Sequence, residues 1–371
     1  MQSKVAIVRC DSYESSLVCD AVRKSIDLLG GISDFIKPGS RVLVKPNLLS
    51  AKIPETGITT HPEVVRAVLR VLKEISCQVF VGDSPSAMEN SLEKIDNVYE
   101  KTGIKQVCSQ EGVELVRFDT QRWRNKFPLT SWLDKCDYLV NIPKFKTHQL
   151  TILTGAIKNL FGLIPGIYKI ELHKKNFDPQ IFSSMLVDIF QEAKPALNII
   201  DAVTAMEGDG PGTSGKLRNL NLILASNDAV AVDSVLAKIM GVAPHLVLTN
   251  KEAAKRLLGS IELKDIAIAG EKLNEVIKKP FILPASSFKE KVKYPLVKMA
   301  IKFIKYYPYT INENCTRCLA CIQVCPEKVI SLKNNRIHYN YKGCISCFCC
   351  QETCPFNAIR VKKSLLARLL G

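Results

Sequence analysis

The chain has 371 residues, of which 47% are hydrophobic, and a formal net charge of +15. That length suits two or three domains of roughly 150 residues each with real cores, and the composition excludes a disordered or fibrous protein. The opening MQSKVAIVRCDSYESS lacks the apolar core of a signal peptide and no apolar run reaches the roughly 18 residues of a membrane span, so a cytoplasmic protein is expected, in which a disulfide framework is not.

Along the chain, β-branched apolar runs alternate with helical patterns. The expected strands are KVAIVRC, RVLVKP, QVFVGD, YLVNIP, LNIID, LNLILAS and DIAIAG; PEVVRAVLRVLKEI and AVAVDSVLAKIM are among the intervening helices. Short apolar strands with helical crossovers predict an α/β fold, a largely parallel sheet covered by helices, over residues 1–283. Ligands of such sheets gather beyond the carboxyl ends of the strands, and polar residues fall there repeatedly: Lys45 and Asn47, Asp83, then Lys144, Lys146, Thr147 and His148 in PKFKTH, and Asp201 before the glycine-rich MEGDGPGTSG.

Lysines at strand exits suit a phosphate or carboxylate site, although Lys45, Lys144 and Lys146 could also be ordinary solvated side chains. His148 and Asp83 are candidates for managing protons, with helix capping, turn formation or packing as the plainer roles. His61, before Pro62, reads as a helix cap. Glu207 and Asp209 read as parts of a mobile loop rather than of a divalent-metal or phosphate loop, and Lys158 and Asn159 as late residues of an apolar helix that could face the pocket. No dinucleotide fingerprint or P-loop is present.

Charge is uneven. Residues 284–371 hold 15 Lys or Arg against 4 Asp or Glu, which leaves +4 for everything before them. The segment 284–307 reads as a basic amphipathic linker, with Lys298, Lys302 and Lys305 on one helical face and Leu296, Ala300, Ile301 and Ile304 on others. Such a helix can pack on its neighbour or lie on an anionic membrane; packing is favoured and peripheral membrane contact is not. No nucleic-acid-binding motif accompanies the charge, so no nucleic-acid partner is expected.

Nine of the 14 cysteines fall between residues 315 and 354. Cys315, Cys318, Cys321, Cys325 and Pro326 repeat, 29 residues on, as Cys344, Cys347, Cys350, Cys354 and Pro355. This is the spacing of bacterial two-cluster ferredoxins, in which the fourth cysteine of each run serves the other run's cluster. It predicts two [4Fe–4S] clusters, one on Cys315, Cys318, Cys321 and Cys354, the other on Cys344, Cys347, Cys350 and Cys325, in an α+β ferredoxin-type domain over residues 308–371. KVISL and NAIRV, one after each run, continue the repeat, and Cys349 is left as a packed thiol. Paired structural zinc sites would need a different spacing.

The segments LVKPNLL, TTHPEVVRAV, VGDSPS, VNIPKFKTHQLTILTGAIKNLFGLIPG and NDAVAVDSVLAKIMG, between residues 41 and 241, resemble the bacterial and archaeal family called domain of unknown function 362, often fused to a ferredoxin module. The resemblance supports the domain order and implicates these segments in the site; it supplies no reaction.

The expected function is therefore an iron–sulfur electron-transfer oxidoreductase. Lys45, Asn47, Lys144, Lys146, Thr147 and Lys158 would bind a small anionic substrate, and His148, Asp83 and Lys146 would take catalytic roles. Its partner would be an acidic electron carrier, a flavodoxin or ferredoxin, or a redox partner enzyme, drawn to the basic tail. The alternatives are a non-catalytic electron carrier or adaptor, and a non-redox enzyme with structural or regulatory clusters.

Overall fold

The computed structural model describes residues 2–86, 89, 91–284 and 305–363. Its main body is a ten-stranded mixed sheet. In chain order the strands are β1 (Ser3–Arg9), β2 (Arg41–Pro46), β3 (Gln78–Val81) and β4 (Glu114–Leu115), then a separate hairpin of β5 (Gln121–Arg124) and β6 (Phe127–Thr130). They continue with β7 (Tyr138–Ile142), β8 (Lys144–His148), β9 (Ile152–Thr154), β10 (Leu197–Gly208), β11 (Gly215–Ser226) and β12 (Ile266–Gly270). The spatial order is β12-β1-β11-β10-β7-β2-β3-β4, with β8 pairing β10 and β9. All seven expected strands are present, and the sheet is largely parallel as expected.

Alternation along the strands sends side chains into two cores, as a sheet covered on both faces requires. Val5, Ile7, Leu43, Leu139 and Leu224 face one core. Ala6, Val8, Val42, Val44, Val140 and Ile223 face the other, under helices Ser15–Asp27 and Pro62–Glu74. His61 caps the second of these helices, its Nδ1 accepting from the Glu63 amide at 3.2 Å, which matches the sequence reading.

Two segments differ from expectation. PKFKTH is not a loop after β7: the β7 ladder, with Val140 opposite Leu197, is interrupted by Pro143 and resumes as β8 with Lys144 opposite Asp201 in the same register. Proline lacks the ladder donor, so the strand breaks without turning away. Four of the ten residues of MEGDGPGTSG, 206–208 and 215, are likewise strand, because β10 runs to Gly208 and pairs antiparallel with β11 over a long hairpin. Glu207 is paired with Arg218 at 2.9 Å instead of lying in a loop.

The linker expected over residues 284–307 lies outside the described residues except at its two ends; β13 (Tyr306–Thr310) begins the terminal unit. β13 pairs antiparallel with β16 (Ile359–Lys363), and β14 (Ile330–Lys333) forms a hairpin with β15 (Arg336–Tyr339). Short helices Ala320–Val324 and Cys349–Thr353 lie within the two cysteine runs, before the fourth cysteine of each. The repeat extends to the backbone: Arg317 and Ser346, Leu319 and Phe348, and Lys328 and Asn357 are pairs 29 residues apart, all with φ between +52° and +61°. Left-handed conformations of non-glycine residues cost roughly 1–3 kcal/mol each and persist only where the surroundings fix them. Here they curl each run back on itself at the same two places.

Candidate functional site

The curled runs bring the thiols into two mixed groups. Cys315, Cys318, Cys321 and Cys354 line one cavity, three from the first run and one from the second. Burial pushes the Cys321 thiol up to about 11, with Cys354, Cys318 and Cys315 as the neighbouring thiols that add to the shift. Burial also raises Cys344, where Cys347 and Cys325 add to the effect, and raises Cys350 well above the thiol range, with Cys347 and Cys344 foremost among its neighbours. Without metal these raised thiols stay protonated; a cationic cluster would draw them down to thiolates and hold them together. The donor set and the exchange of the fourth cysteine both fit a pair of iron–sulfur cages.

The terminal unit closes over the carboxyl-end rim of the sheet. Thr213 donates to the Cys354 carbonyl (2.8 Å), Lys52 to the Pro355 carbonyl (3.2 Å), Gln351 to the Asp209 carbonyl (3.0 Å) and Arg360 to the Ser214 carbonyl (2.9 Å). Gly212 allows this approach, since a Cβ there would lie 2.9 Å from the Glu352 carbonyl oxygen.

Between rim and unit lies a cavity of about 100 Å³. Its α/β wall carries Lys45, Asn47, Asp83, Lys158, Lys169 and His173; its other wall carries Val324, Cys349, Glu352 and Thr353. Three amines therefore face two carboxylates. Lys45 and Asp83, both buried, meet at 2.7 Å; burial pulls the amine down and pushes the carboxyl up, and their contact opposes both. Gly162 lies against this pair, where a Cβ would come 2.2 Å from Asp83 Oδ1 and 2.5 Å from Lys45 Nζ. Lys169 donates to the Ser84 carbonyl and, at 2.6 Å, to that of Pro85, and burial lowers it to about 7. Lys158, half-buried, has no hydrogen-bonding or ion-pair partner among the described residues, and burial lowers it while Glu352 opposes. Two polar atoms of the wall, Thr154 Oγ1 and His173 Nδ1, are buried without a hydrogen-bond partner among the described residues. A ligand with oxygen acceptors would satisfy both the surplus cation and these atoms.

β8 presents Lys144, Lys146 and His148 on one face and Phe145 and Thr147 on the other. Lys146 donates to Asn47 Oδ1 (2.7 Å) and to the Ile58 carbonyl (2.6 Å); burial and then the Lys158 and Lys144 charges hold its amine well below the usual range. From Asn47 a one-directional amide chain runs through Asn159 (2.9 Å), Asn141 (2.8 Å) and Asn198 (2.9 Å) to the Ser226 carbonyl (3.1 Å), fixing the Asn47 side chain at the cavity wall.

His148 Nδ1 accepts from the Leu150 and Thr151 amides, so the neutral ring carries its proton on Nε2, 3.0 Å from Glu352 Oε1. Burial and the Lys158 charge lower His148 to about 4. Burial alone would raise Glu352, but His148 and then Lys158 outweigh it and hold it at about 2. The Nε2 to Oε1 contact is off the line of a good hydrogen bond, and of the two residues Glu352 is the one that lines the cavity.

The structure thus brings Lys45, Asn47, Asp83 and Lys158 to one cavity, with Lys146 behind Asn47 and His148 behind Glu352. Lys144 is engaged elsewhere, with Asp201 at 2.9 Å and the Tyr13 hydroxyl at 2.6 Å. Thr147 donates to the Gly208 carbonyl at 2.9 Å on the far face. Lys169, His173 and Glu352 were missed. The first two are four apart on helix Gly166–Lys175, where Lys169 reads as a solvated helix lysine and His173 as part of a basic last turn; Glu352 was hidden between cluster cysteines, although acids are scarce in that segment.

An α/β body with a lysine-lined cavity at its strand ends, under a cysteine-rich cap, defines a class of iron–sulfur proteins with a fused α/β domain. Residues 307–355 match the family described as a 4Fe-4S dicluster domain, and residues 42–238 match that described as Domain of unknown function (DUF362). The chain belongs to the DUF362 family and carries a C-terminal 4Fe-4S dicluster domain. A thylakoid-associated protein of Synechocystis sp. is 34% identical over 266 residues, 70% of this chain and 80% of its own. Among solved structures, the lactate racemase apoprotein of Thermoanaerobacterium thermosaccharolyticum aligns over 66% of this chain and 58% of its own, with 11% identity and a TM-score of 0.42. No helix among the described residues is long and apolar enough to cross a membrane.

Proposed function

We propose that the chain is an iron–sulfur oxidoreductase in which residues 1–283 bind a small anionic substrate and residues 308–371 connect it to an external electron carrier. Cys315, Cys318, Cys321 and Cys354 would hold one [4Fe–4S] cluster and Cys344, Cys347, Cys350 and Cys325 the other; when bound, these clusters supply or accept single electrons. The observation that carries this reading is the composite cavity, in which Cys349 and Glu352, both within the second cysteine run, face Lys45, Lys158 and Lys169.

The chain's own residues have separable tasks. Lys45 and Lys169 are fixed by carboxylate and carbonyl partners and supply positioned positive charge. Lys158, with no partner among the described residues, pairs with the bound anion. His173 and Thr154 offer polar contacts, and the Nε2 proton of His148 lies behind the cavity wall, beside Glu352. Burial of Lys45, Lys169 and His173 strengthens their interactions.

The test is anaerobic: reduced protein is mixed with candidate carboxylates and phosphate esters, and recovery of the oxidised cluster absorbance is followed. A substrate should reoxidise wild type and fail with Lys158→Met of unchanged iron content. Equal reoxidation by both proteins would overturn the cavity assignment. The name of the Synechocystis relative favours a second reading for location, contact of the basic connector with a membrane surface; it requires co-sedimentation with anionic vesicles that disappears in high salt.

A further inference from the structure

The two thiol groups differ in what surrounds them. Cys347 and Cys350 are buried, and helix Cys349–Thr353, which contains Cys350, carries Cys349 and Glu352 to the cavity wall. The cage of Cys315, Cys318, Cys321 and Cys354 is instead bordered by Leu319 and Phe356, which are 37% and 44% exposed, and Cys318 itself is exposed.

The charged side chains at the hairpin tip beside this opening are cations. Arg317, next to Cys318, donates to the Asn335 carbonyl at 3.2 Å, which ties it to the tip of the β14–β15 hairpin. Lys333 and Arg336 are paired across that tip, and all three cations are exposed. Over residues 305–363 there are nine Lys or Arg and three acids, a difference of +6. Of those acids, Glu327 is engaged by Lys174 at 3.4 Å and Glu352 is held at the domain contact, which leaves Glu313 as the exposed one. Two oxidised clusters would subtract roughly two charges each, which leaves the unit as a whole with a small positive net charge.

We propose that this face, with Leu319 and Phe356 at its centre and Arg317, Lys333 and Arg336 at its edge, is the docking site of an acidic one-electron carrier protein. An apolar centre with a charged rim is the arrangement that permits close approach after electrostatic steering. The inference rests on the reading that the module holds clusters. It gives the wire a direction: the first-run cage meets the carrier, and the second-run cage lies toward the cavity. Arg317 and Arg336 act on the encounter and do not touch the reacting atoms.

The experiment titrates oxidised, cluster-loaded protein with an oxidised flavodoxin of net negative charge, by calorimetry at low and high ionic strength. Wild type should bind at low salt and weaken as salt rises. Arg317→Glu/Arg336→Glu should bind about tenfold more weakly at low salt, with iron content unchanged, and Lys264→Glu, at the far edge of the sheet, should bind like wild type. Normal binding by the double variant, an equal loss in Lys264→Glu, or no binding by wild type at any salt overturns the proposal. Sulfate binding, measured on the same samples, reports the cavity separately, so failure there is distinguishable from failure of the docking face.

Discussion

Lys45 and Asp83 give the sharpest test of the cavity's electrostatics. Both are buried, they meet at 2.7 Å, and apart from Lys45 the carboxylate has the Leu48 amide as its hydrogen-bond donor, at 2.7 Å. Lys45→Met leaves Asp83 buried without its cation, which should cost about 3–5 kcal/mol of α/β stability. Lys45→Met/Asp83→Leu removes both charges and should recover most of that loss, since an apolar pair avoids the desolvation penalty. Both variants should nevertheless lose sulfate binding, by roughly 10- to 150-fold if one charge-assisted contact of about 1.5–3 kcal/mol disappears. The chain's two tryptophans, Trp123 and Trp132, lie in the α/β domain, so denaturant titration followed by their fluorescence reads that domain, and calorimetry reads sulfate. A single variant within about 1 kcal/mol of wild type, or a double variant that binds sulfate normally, would refute the reasoning.

Three further outcomes are expected. Gly162→Ala places a methyl group on the Lys45–Asp83 pair and should weaken sulfate binding by at least about tenfold while leaving iron content intact; unchanged affinity would show that the pair is not a binding element. Lys169, lowered to about 7, is charged below that pH and neutral above it, so sulfate affinity should fall as pH rises through about 7 and Lys169→Met should flatten the profile. The same shift means that charging Lys169 costs native stability, a penalty that grows as pH falls from the usual lysine range to about 7 and then levels off. Cys354→Ser and Cys318→Ser should each reduce iron from about eight to about four atoms and leave the same paramagnetic signal, distinct from that left by Cys325→Ser; a Cys354→Ser signal matching Cys325→Ser would refute exchange of the fourth cysteine.

Much of the architecture was legible because it follows from local rules: alternating strands, a Pro-led helix capped by His61, and a cysteine spacing that repeats in register. What escaped depends on distant pairing. Lys144 looked like Lys146 in sequence, but Asp201 and Tyr13, remote in the chain, neutralise one and not the other. The continuation of β7 into β8 was hidden by Pro143, which breaks hydrogen bonding locally while β10 carries the register across. Glu352 gains its role only because the cap folds onto the rim, a contact that no spacing within either domain encodes.

The central claim is that an anion bound between Lys45, Lys158 and Lys169 lies beside the electron-carrying cap. Electron–nuclear double resonance on dithionite-reduced protein with bound inorganic phosphate tests it most directly, because the phosphorus nucleus couples to a cluster spin only at short range. The expected result is a phosphorus coupling that vanishes in Lys158→Met; phosphate that binds by calorimetry yet shows no coupling would contradict the account.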